Sequence, residues 1–487
     1  MKKAFAFAIL LFLGISLCFS CQDDLDDLEV PDNLKVNDFI WKGLNLYYYW
    51  QNDVPNLSDS RFSNQSELNP FLENYSSGES LFYDLLYQYP ETDRFSVIFS
   101  DYRILEGTLN GITTNNGVDY QLVRKPSSDV VFGWVRYIIP NSDASNKAIQ
   151  RGDIFYAING IPLSFASKNY VELLAQETYT LNLADYDNGN ITPNGRSVVL
   201  TKTQLVENPI LLNQIYTQGN HKIGYLMYNG FYSGYDQQLN TVFGGFSSQG
   251  VTDLIIDLRY NSGGSVNTSA RLASMITGQF SGNVFAKQQW NSKVQSYMQE
   301  NNPDNLINRF SNSISGTPIN SLNLRKVYIL TSKASASASE LLINGLKPYI
   351  EVVQIGNVTT GKNVGSITLY DSPSFNASGR SSKHRYAMQP ICFKIVNAQG
   401  FGDYANGIDP TYVLVENLGN LGVLGDVNEP LLSTAISKIT NSGRMQHQNP
   451  DKIFDPIKDS KSMQRLGTEL YLDEVPFEAL NIKFYEQ

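Results

Sequence analysis

Apolar side chains recur with mostly helical spacing in the first part of the chain, with interruptions at Pro55, Pro70 and Pro90. This pattern predicts a small helical domain over residues 36–105. The domain includes four consecutive aromatic residues at 47–50, which could form a platform for a sugar. Aromatic residues at helical spacing are more often core residues, so we expect this stripe to be buried.

The pattern then changes to short alternating runs separated by turn residues, of which residues 133–139 form the clearest. The alternation predicts a mainly β domain over residues 106–203. Within it, the acidic stretch 185–189 partly matches a calcium-binding loop. The twelfth position of such a loop requires a bidentate Glu, whereas this chain has Arg196 there, so we interpret the stretch as a hairpin loop.

Between residues 204 and 440, short continuous apolar runs alternate with helical stretches. Such runs are typical of strands buried on both faces of a parallel sheet. The pattern predicts a layered core, and the fold class expected for the chain is mixed α/β. The remainder, 441–487, is polar and is predicted to be an irregular C-terminal extension, to which we assign no function. The clearest strand runs are residues 223–226, 254–258, 327–330 and 352–355.

The N-terminus has the features of an export signal. Lys2 and Lys3 precede an apolar run over residues 4–17. This run is short for a membrane span and is typical of a secretory signal peptide, here residues 1–20. We therefore expect the mature protein to be exported.

Cys21 and the residues after it resemble a bacterial lipoprotein processing site, in which the cysteine becomes the lipidated N-terminus. We expect Cys21 to be lipidated, with residues 21–35 as a tether; simple cleavage is the alternative. The acidic stretch 23–29 fits either a solvated tether or a signal for display at the cell surface. The expected location is the outer membrane, or a lipoprotein that faces the periplasm, with membrane attachment through the acyl chains.

Composition excludes several classes of function. The 487 residues carry 47 acidic and 37 basic side chains, for a net charge of -10, and show no basic patch that could follow a phosphate backbone. We expect no nucleic-acid partner. Two of the three cysteines, Cys18 and Cys21, lie in the targeting segment and leave Cys392 alone, which excludes a disulfide framework. The three histidines are too scattered for a local metal motif, and we expect neither a metal nor another cofactor.

A turn of small residues, 331–339, joins a predicted strand to a predicted helix. Such a turn exposes a nucleophile well, because its side chain and the backbone N–H groups of the helix start face the same opening. Four serines compete for this role. Ser337 and Glu340 also have the spacing of a capping box, so Ser337 could instead cap the helix.

The turn, the strand that follows and Thr360-Gly361-Lys362 together resemble the core of the C-terminal processing (tail-specific) serine peptidases. The likeness extends over roughly residues 106–436 and implies a crotonase-like fold with a Ser/Lys dyad. In the family's pattern the nucleophile lies three residues before the Glu, and the lysine lies 25 residues after the nucleophile. Ser337 and Lys362 match both spacings.

A lysine acts as a general base only when it is neutral, so its pKa must fall from about 10.4 to about 7 or 8. This shift corresponds to about 4 kcal/mol, which burial away from carboxylates can supply. Glycines and β-branched residues around Lys362 permit such burial. An exposed turn lysine is the alternative, and no histidine lies in a motif that would replace it as the base.

Acyl transfer also requires an oxyanion hole of backbone donors. One donor should be the N–H of Ala338, directly after the nucleophile. The resemblance places the other at Gly263 or Gly264, within a match to the family's Asp-Leu-Arg-x-Asn-x-Gly-Gly element. An ordinary glycine turn is the alternative. We expect Asp257 and Arg259 of this element to be structural partners.

The sequence departs from the family at one position. Many members have Gln or Glu four residues after the lysine to orient it, whereas this chain has Ser366. Either Ser366 orients Lys362 more weakly, or a residue of another strand does so, with Gln389 as a candidate. This departure leaves the level of activity open.

Residues 140–160 resemble part of a PDZ domain of the bacterial protease type, with a Gly-Asp turn and a strand that ends in Asn-Gly. PDZ domains bind an extended peptide, often a free C-terminus, at a sheet edge. An unrelated β domain with a Gly-Asp turn is the alternative.

The sequence thus predicts an exported serine endopeptidase that acts on proteins or peptides through their unstructured C-termini. One alternative is a catalytically silent peptide-binding surface lipoprotein, in which Ser337 is only a helix cap. Another is a carbohydrate-binding component of a nutrient-uptake system. Reaction with a serine-directed fluorophosphonate distinguishes the enzyme from both.

Overall fold

The computed structural model describes residues 30–442 and 454–475. The predicted signal peptide 1–20, the lipidation candidate Cys21 and the acidic stretch 23–29 lie outside these residues and stay predictions. Within the two described segments, no helix is long and apolar enough to cross a membrane. The same residues contain no group of His, Cys, Asp or Glu side chains that could hold a metal ion.

Ten α-helices lie in the described part of the chain. They are α1 (Lys35–Tyr47), α2 (Gln65–Leu72), α3 (Gly78–Asp84), α4 (Tyr102–Leu109), α5 (Tyr170–Ala175), α6 (Asp236–Ser248), α7 (Val266–Thr277), α8 (Ser292–Asn301), α9 (Ala338–Leu346) and α10 (Pro430–Thr440).

The β-strands of the same residues belong to six sheets. They are β1 (Val97–Phe99), β2 (Ile112–Asn115), β3 (Val118–Arg124), β4 (Val131–Ile138), β5 (Ile154–Ile158), β6 (Ile161–Pro162), β7 (Thr178–Asp187), β8 (Asn190–Thr201), β9 (Thr203–Val206), β10 (Ile210–Gln218), β11 (His221–Tyr228), β12 (Asp253–Asp257), β13 (Gly263–Ser265), β14 (Val284–Trp290), β15 (Ile307–Arg309), β16 (Ser313–Ile314), β17 (Thr317–Pro318), β18 (Lys326–Thr331), β19 (Glu351–Gly356), β20 (Val364–Ser366), β21 (Leu369–Tyr370), β22 (Ala387–Gln389), β23 (Ile391–Asn397), β24 (Tyr412–Val413), β25 (Asp455–Asp459) and β26 (Glu469–Tyr471).

The N-terminal region is helical, as its apolar spacing predicts. Helix α1 buries most of its length, and Tyr47 and Tyr48 at its C-terminal end are fully buried, so the aromatic stripe belongs to the core. The Asn64 side chain accepts a hydrogen bond from the Glu67 N–H and begins α2. The expected interruption at Pro70 is wrong: the helix continues through it and ends two residues later, at Leu72.

The β-rich region forms one main sheet in the order β25, β3, β4, β5, β7, β8, with β6 paired to β5. The sheet and helix α5 enclose a separate hydrophobic core. The stretch at 185–189 is the expected hairpin: Asn188 and Gly189 connect β7 to β8 with positive φ angles of 45° and 87°. Asn-Gly is favoured at this position because both residues tolerate the left-handed backbone.

The core region contains two six-stranded sheets. In the first, β11, β12, β18, β19 and β24 run parallel and β10 pairs antiparallel with β11. In the second, the order is β13, β26, β20, β23, β14, β15. Helix α9 packs against α7 and contacts strands of both sheets, while α10 contacts four strands of the first sheet. The start of α9 therefore lies between the two sheets.

The C-terminal part of the chain differs from its prediction. Residues 454–475, which we name the C-terminal segment, are not irregular: β25 joins the sheet of the β-rich region, and β26 joins the second sheet of the core. Leu470 of this segment is fully buried in the main hydrophobic core. Short strands at large sequence distance from their partners carry little local signal, which is why polarity alone suggested an extension.

Candidate active site

The small-residue turn joins β18 to α9, as predicted. Ser337 is the last residue before the helix, with φ 63° and ψ −115°, a backbone conformation that is costly for a residue with a Cβ. Its side chain is fully buried, and among the described residues its Oγ has no hydrogen-bond partner. The Ser337 Oγ therefore does not cap α9 in this structure.

The three other serines of the turn are engaged. Ser332, Ser335 and Ser339 each donate from Oγ to a backbone carbonyl oxygen. A hydroxyl used in this way is held in one orientation and is less free to attack a ligand. The structure therefore distinguishes Ser337 from its three competitors, which the sequence alone did not.

Glu340 joins the loop that carries Ser337 to the loop that carries Lys362. One carboxylate oxygen of Glu340, Oε2, accepts the N–H of Ser337 at 2.7 Å and the N–H of Lys362 at 2.9 Å. The other, Oε1, accepts the Gly361 N–H at 2.6 Å and the Thr359 hydroxyl at 2.5 Å. Burial raises the pKa of Glu340, and these four donors oppose that effect by stabilising the charged form. One buried carboxylate thus fixes both loops.

The Lys362 side chain is fully buried. Its Nζ donates to the Thr468 carbonyl oxygen, lies 3.5 Å from the Glu469 carboxylate and lies 4.6 Å from the centroid of the Phe95 ring. Burial lowers the pKa of Lys362, and Glu469, Asp93 and Glu340 oppose the shift. Burial also raises the pKa of Glu469 to about 7. Loss of water is the larger effect on both groups, so each favours its neutral form more than it would at the surface.

The double glycine approaches Ser337 closely. Gly263 and Gly264 have φ angles of 118° and 140°, which a side chain would disfavour. A Cβ on Gly263 would lie 2.6 Å from the Cβ of Ser337, and a Cβ on Gly264 would lie 2.3 Å from the Phe231 carbonyl oxygen. The Gly263 N–H already donates to the Asn261 side chain at 2.9 Å. Gly264 is therefore the better candidate for an oxyanion donor, beside Ala338 at the first position of α9.

The two proposed orienting residues do not contact the lysine amine. Ser366 Oγ donates to the Leu470 carbonyl oxygen at 3.3 Å, and Gln389 Oε1 accepts from the Thr368 hydroxyl at 3.4 Å. Neither is among the partners that the described residues give Lys362 Nζ. The oxygens that lie near Lys362 Nζ belong to Thr468 and Glu469 of the C-terminal segment instead.

Asp257 and Arg259 lie in a buried ionic network below the double glycine. The Arg259 guanidinium binds Asp257 at 2.7 Å and Glu429 at 2.7 and 3.0 Å, and lies 3.3 Å from Glu416. The partners that these four side chains have in the network are one another, within buried or largely buried surroundings. Their arrangement is that of structural partners.

Several residues at the site carried no functional signal in the sequence. The sequence identifies Glu340 as a capping-box residue and as the marker three residues after the nucleophile, but it does not indicate that Glu340 binds the lysine loop. Phe95, Thr468 and Glu469 reach Lys362 from regions more than one hundred residues away along the chain. No local pattern could have indicated them.

Comparison with known families gives two matches. Residues 222–375, which include both Ser337 and Lys362, match the model of peptidase family S41, and residues 35–97 match the peptidase S41 N-terminal domain. The second match covers the helical N-terminal region and includes Phe95, whose ring lies near Lys362 Nζ.

Comparison with solved structures gives further matches. A structure described as an S41 protease from Bacteroides fragilis NCTC 9343 is 26% identical to this chain and has a TM-score of 0.64. The match covers 83% of this chain and 98% of the other. A photosystem II D1 C-terminal processing protease is 18% identical, with a TM-score of 0.48, covering 83% of this chain and 99% of that one. The fold is a mixed α/β peptidase domain with a small N-terminal domain. The chain thus matches family S41 in both a peptidase domain and an N-terminal domain, and it is a serine-type peptidase.

Proposed function

We propose that this peptidase is an endopeptidase of the C-terminal processing type that hydrolyses peptide bonds through a Ser337/Lys362 dyad. The single observation that carries the proposal is the Glu340 carboxylate, which holds the backbone N–H groups of both residues on the same oxygen. The free hydroxyl of Ser337 and the complete burial of Lys362 fit the roles of nucleophile and general base.

In the proposed reaction, Ser337 Oγ attacks the carbonyl carbon of the scissile bond and transfers its proton to neutral Lys362 Nζ. The N–H groups of Ala338 and Gly264 donate to the oxyanion that forms. The C–N bond then breaks, the leaving amine takes the proton from Lys362, and an ester to Ser337 remains. Water attacks the ester with Lys362 again accepting the proton, and the proton returns to Ser337 as the acid product leaves.

We further propose that the core is crotonase-like and that the β-rich region over 106–203 is a PDZ domain that captures free C-termini of protein substrates. The separate hydrophobic core of this region supports its treatment as a unit. Its peptide would add to a sheet edge through backbone hydrogen bonds.

The proposed location is the cell envelope, with the mature protein anchored through lipid on Cys21. This proposal rests on the leader sequence alone. Radiolabelled fatty acid incorporation into the wild type but not into Cys21→Ser would support it.

The dyad is tested by digestion of an unfolded model protein with an apolar C-terminus, using the mature chain, Ser337→Ala and Lys362→Ala. Loss of nucleophile or base should lower the rate about 100-fold or more. Ser339→Ala and Lys347→Ala are matched controls: the first removes a neighbouring buried serine that is already hydrogen-bonded, and the second removes an exposed lysine at the end of the same helix. Both should retain activity.

Fluorophosphonate labelling gives a second readout that needs no natural substrate. The wild type should be labelled at Ser337, and Ser337→Ala should not. Cleavage that persists in Ser337→Ala, or a wild type that neither cleaves nor reacts, would contradict the proposed mechanism and favour a silent peptide-binding protein.

A further inference from the structure

The C-terminal segment passes directly through the catalytic centre as an extended strand. Strand β26 pairs in parallel with β13, with Glu469 opposite Gly263 and Tyr471 opposite Ser265. On its other side, Tyr471 pairs with Ser366 of β20, and the Leu472 N–H donates to the Ser366 carbonyl oxygen at 3.1 Å. The segment therefore fills the cleft between the oxyanion-hole strand β13 and the strand that follows Lys362.

The strand also occupies the space beside Ser337. A Cβ placed on Gly263 would lie 2.1 Å from the Glu469 carbonyl oxygen and 2.9 Å from Ser337 Oγ. The backbone of β26 and the Ser337 hydroxyl therefore both lie close to Gly263. A peptide with its scissile carbonyl in the oxyanion hole could not enter while β26 is in place.

The same segment engages the proposed base. Lys362 Nζ donates to the Thr468 carbonyl oxygen and has the Glu469 carboxylate at 3.5 Å. Both oxygens favour the protonated form of the Lys362 amine and so oppose the effect of burial, and only the neutral amine can accept the proton of Ser337. Occupancy of the cleft and engagement of the lysine therefore act in the same direction.

Open space lies beside the strand. A cavity of about 590 Å³ is lined by Tyr471, Asp473 and Val475, and a smaller one of about 50 Å³ is lined by Gly467, Glu469 and Tyr471. Residues of the β26 region line both cavities, so there is room beside the filled part of the cleft for further residues of an extended peptide.

We propose that the cleft between β13 and β20 binds substrate as an added β-strand, and that the chain's own residues 467–471 occupy it as an intramolecular inhibitor. This inference rests on the proposed function. The preferred ligand is an extended peptide with an apolar residue where Leu470 is buried, since that side chain packs into the main core.

The covalent connection explains how a three-residue strand can hold the cleft. A segment tethered in the same chain has an effective concentration of about 1 mM, so an intrinsic Kd of about 0.1 mM keeps it bound about 90% of the time. Release of the segment should then raise activity about tenfold. An unfolded protein at high local concentration would displace the segment, and cleavage would remove it. Either event would raise activity in the same way.

The test is a chain with a recognition site for a specific protease inserted between residues 443 and 453. Cleavage followed by dilution to nanomolar concentration should raise peptidase activity about tenfold, because the clipped segment then dissociates. A synthetic peptide of residues 464–475 should restore inhibition competitively with substrate. The same peptide with the Leu470 position changed to Asp should not. A clipped, folded enzyme that is no more active than the intact one, or that the peptide does not inhibit, overturns the proposal.

Two further measurements keep the test independent of folding and of catalysis. If the clipped protein loses its fold, Leu470→Ala in the intact chain should raise activity, whereas Lys458→Gln, at an exposed position of the same segment, should leave it unchanged. A folded Leu470→Ala chain without increased activity contradicts the proposal.

Binding of the 464–475 peptide to the clipped Ser337→Ala protein, measured by calorimetry, reports occupancy without turnover. Binding in the absence of any cleavage or fluorophosphonate reaction by the wild type would overturn the dyad but support occupancy of the cleft. Absence of binding would overturn occupancy whether or not the enzyme is active.

Discussion

At the scale of single residues, the site depends on one carboxylate. Ser337 adopts a positive φ, which costs about 1–3 kcal/mol for a residue with a side chain. Glu340 offsets this cost, because its Oε2 accepts the Ser337 N–H that the strained turn presents. The same oxygen accepts the Lys362 N–H, so the strained turn and the backbone of Lys362 are stabilised together.

We therefore predict that Glu340→Gln lowers kcat about 10- to 100-fold with little change in KM, because a small shift of a reacting group is costly. The amide would present hydrogens toward backbone N–H groups that need an acceptor, so the free energy of unfolding should fall by about 1–3 kcal/mol. Steady-state kinetics and urea denaturation measure the two effects. Glu351→Gln, at an exposed strand position, is the control and should change neither. A Glu340→Gln enzyme with normal kcat would show that Glu340 only stabilises the fold.

The pH dependence of acylation follows from the burial of Lys362. Desolvation lowers its pKa from 10.5, while the facing carboxylates of Glu469, Asp93 and Glu340 oppose the shift. Because the neutral amine is the proposed base, the acylation rate of Ser337 should rise with pH and level off above an apparent pKa below 10.5. Lys362→Arg should abolish this rise and lower the rate about 100-fold or more, since a guanidinium stays protonated. Stopped-flow acylation by an activated ester across the pH range provides the measurement. A wild-type profile with its midpoint at the ordinary lysine value would exclude a buried base.

At the scale of elements, a buried ionic network positions the strand end that leads to the double glycine. Arg259 follows β12 and binds Asp257 of that strand together with Glu429, which precedes α10. Glu429 also accepts the Leu432 N–H at 2.8 Å and so caps α10. The network ties the approach to Gly263 and Gly264 to a helix packed on the other face of the first sheet.

Arg259→Met should lower the free energy of unfolding by about 3–5 kcal/mol, because it leaves buried carboxylates without their cation. Arg309→Ala, which removes an exposed pair with Asp304, should cost less than about 1 kcal/mol. Urea denaturation followed by circular dichroism compares the two. Equal losses in both variants would mean that the buried network adds no more to stability than a surface pair.

At the scale of the whole molecule, three distant regions converge on the Lys362 amine. The core supplies the lysine, the C-terminal segment supplies Thr468 and Glu469, and the N-terminal region supplies the Phe95 ring. The ring has two opposite effects on the lysine: it excludes water, which favours the neutral amine, and its face attracts the ammonium. Desolvation can shift a buried amine by several pKa units, whereas the cation–π attraction is about 0.5–2 kcal/mol, so exclusion of water should dominate.

Phe95→Ala should therefore raise the midpoint of the pH–acylation profile toward the ordinary lysine value. Phe95→Leu keeps an apolar cover without an aromatic face, and its midpoint should stay at or below that of the wild type. The same stopped-flow assay measures both, with Tyr89→Ala, at an exposed site of the N-terminal region, as the control. A midpoint that falls in Phe95→Ala would mean that attraction to the ring exceeds the effect of desolvation.

The sequence by itself determined the division into helical, β-rich and α/β regions, because each depends on a local period of apolar residues. It also determined the candidates Ser337, Lys362, Gly263 and Gly264, because their motifs resemble those of the C-terminal processing serine peptidases. The hairpin at Asn188-Gly189 followed for the same local reason.

Only the tertiary structure decided which serine hydroxyl lacks a hydrogen-bond partner and what surrounds the Lys362 amine. The choice among the four serines depends on hydrogen bonds to carbonyls of other strands, and the partners of Lys362 come from both ends of the described chain. Neither Ser366 nor Gln389 reached the lysine, and residues 454–475, which were assigned no role, lie across the cleft. Pairing between strands distant in sequence depends on which edges the folded sheets leave open, and no local pattern of residues encodes that.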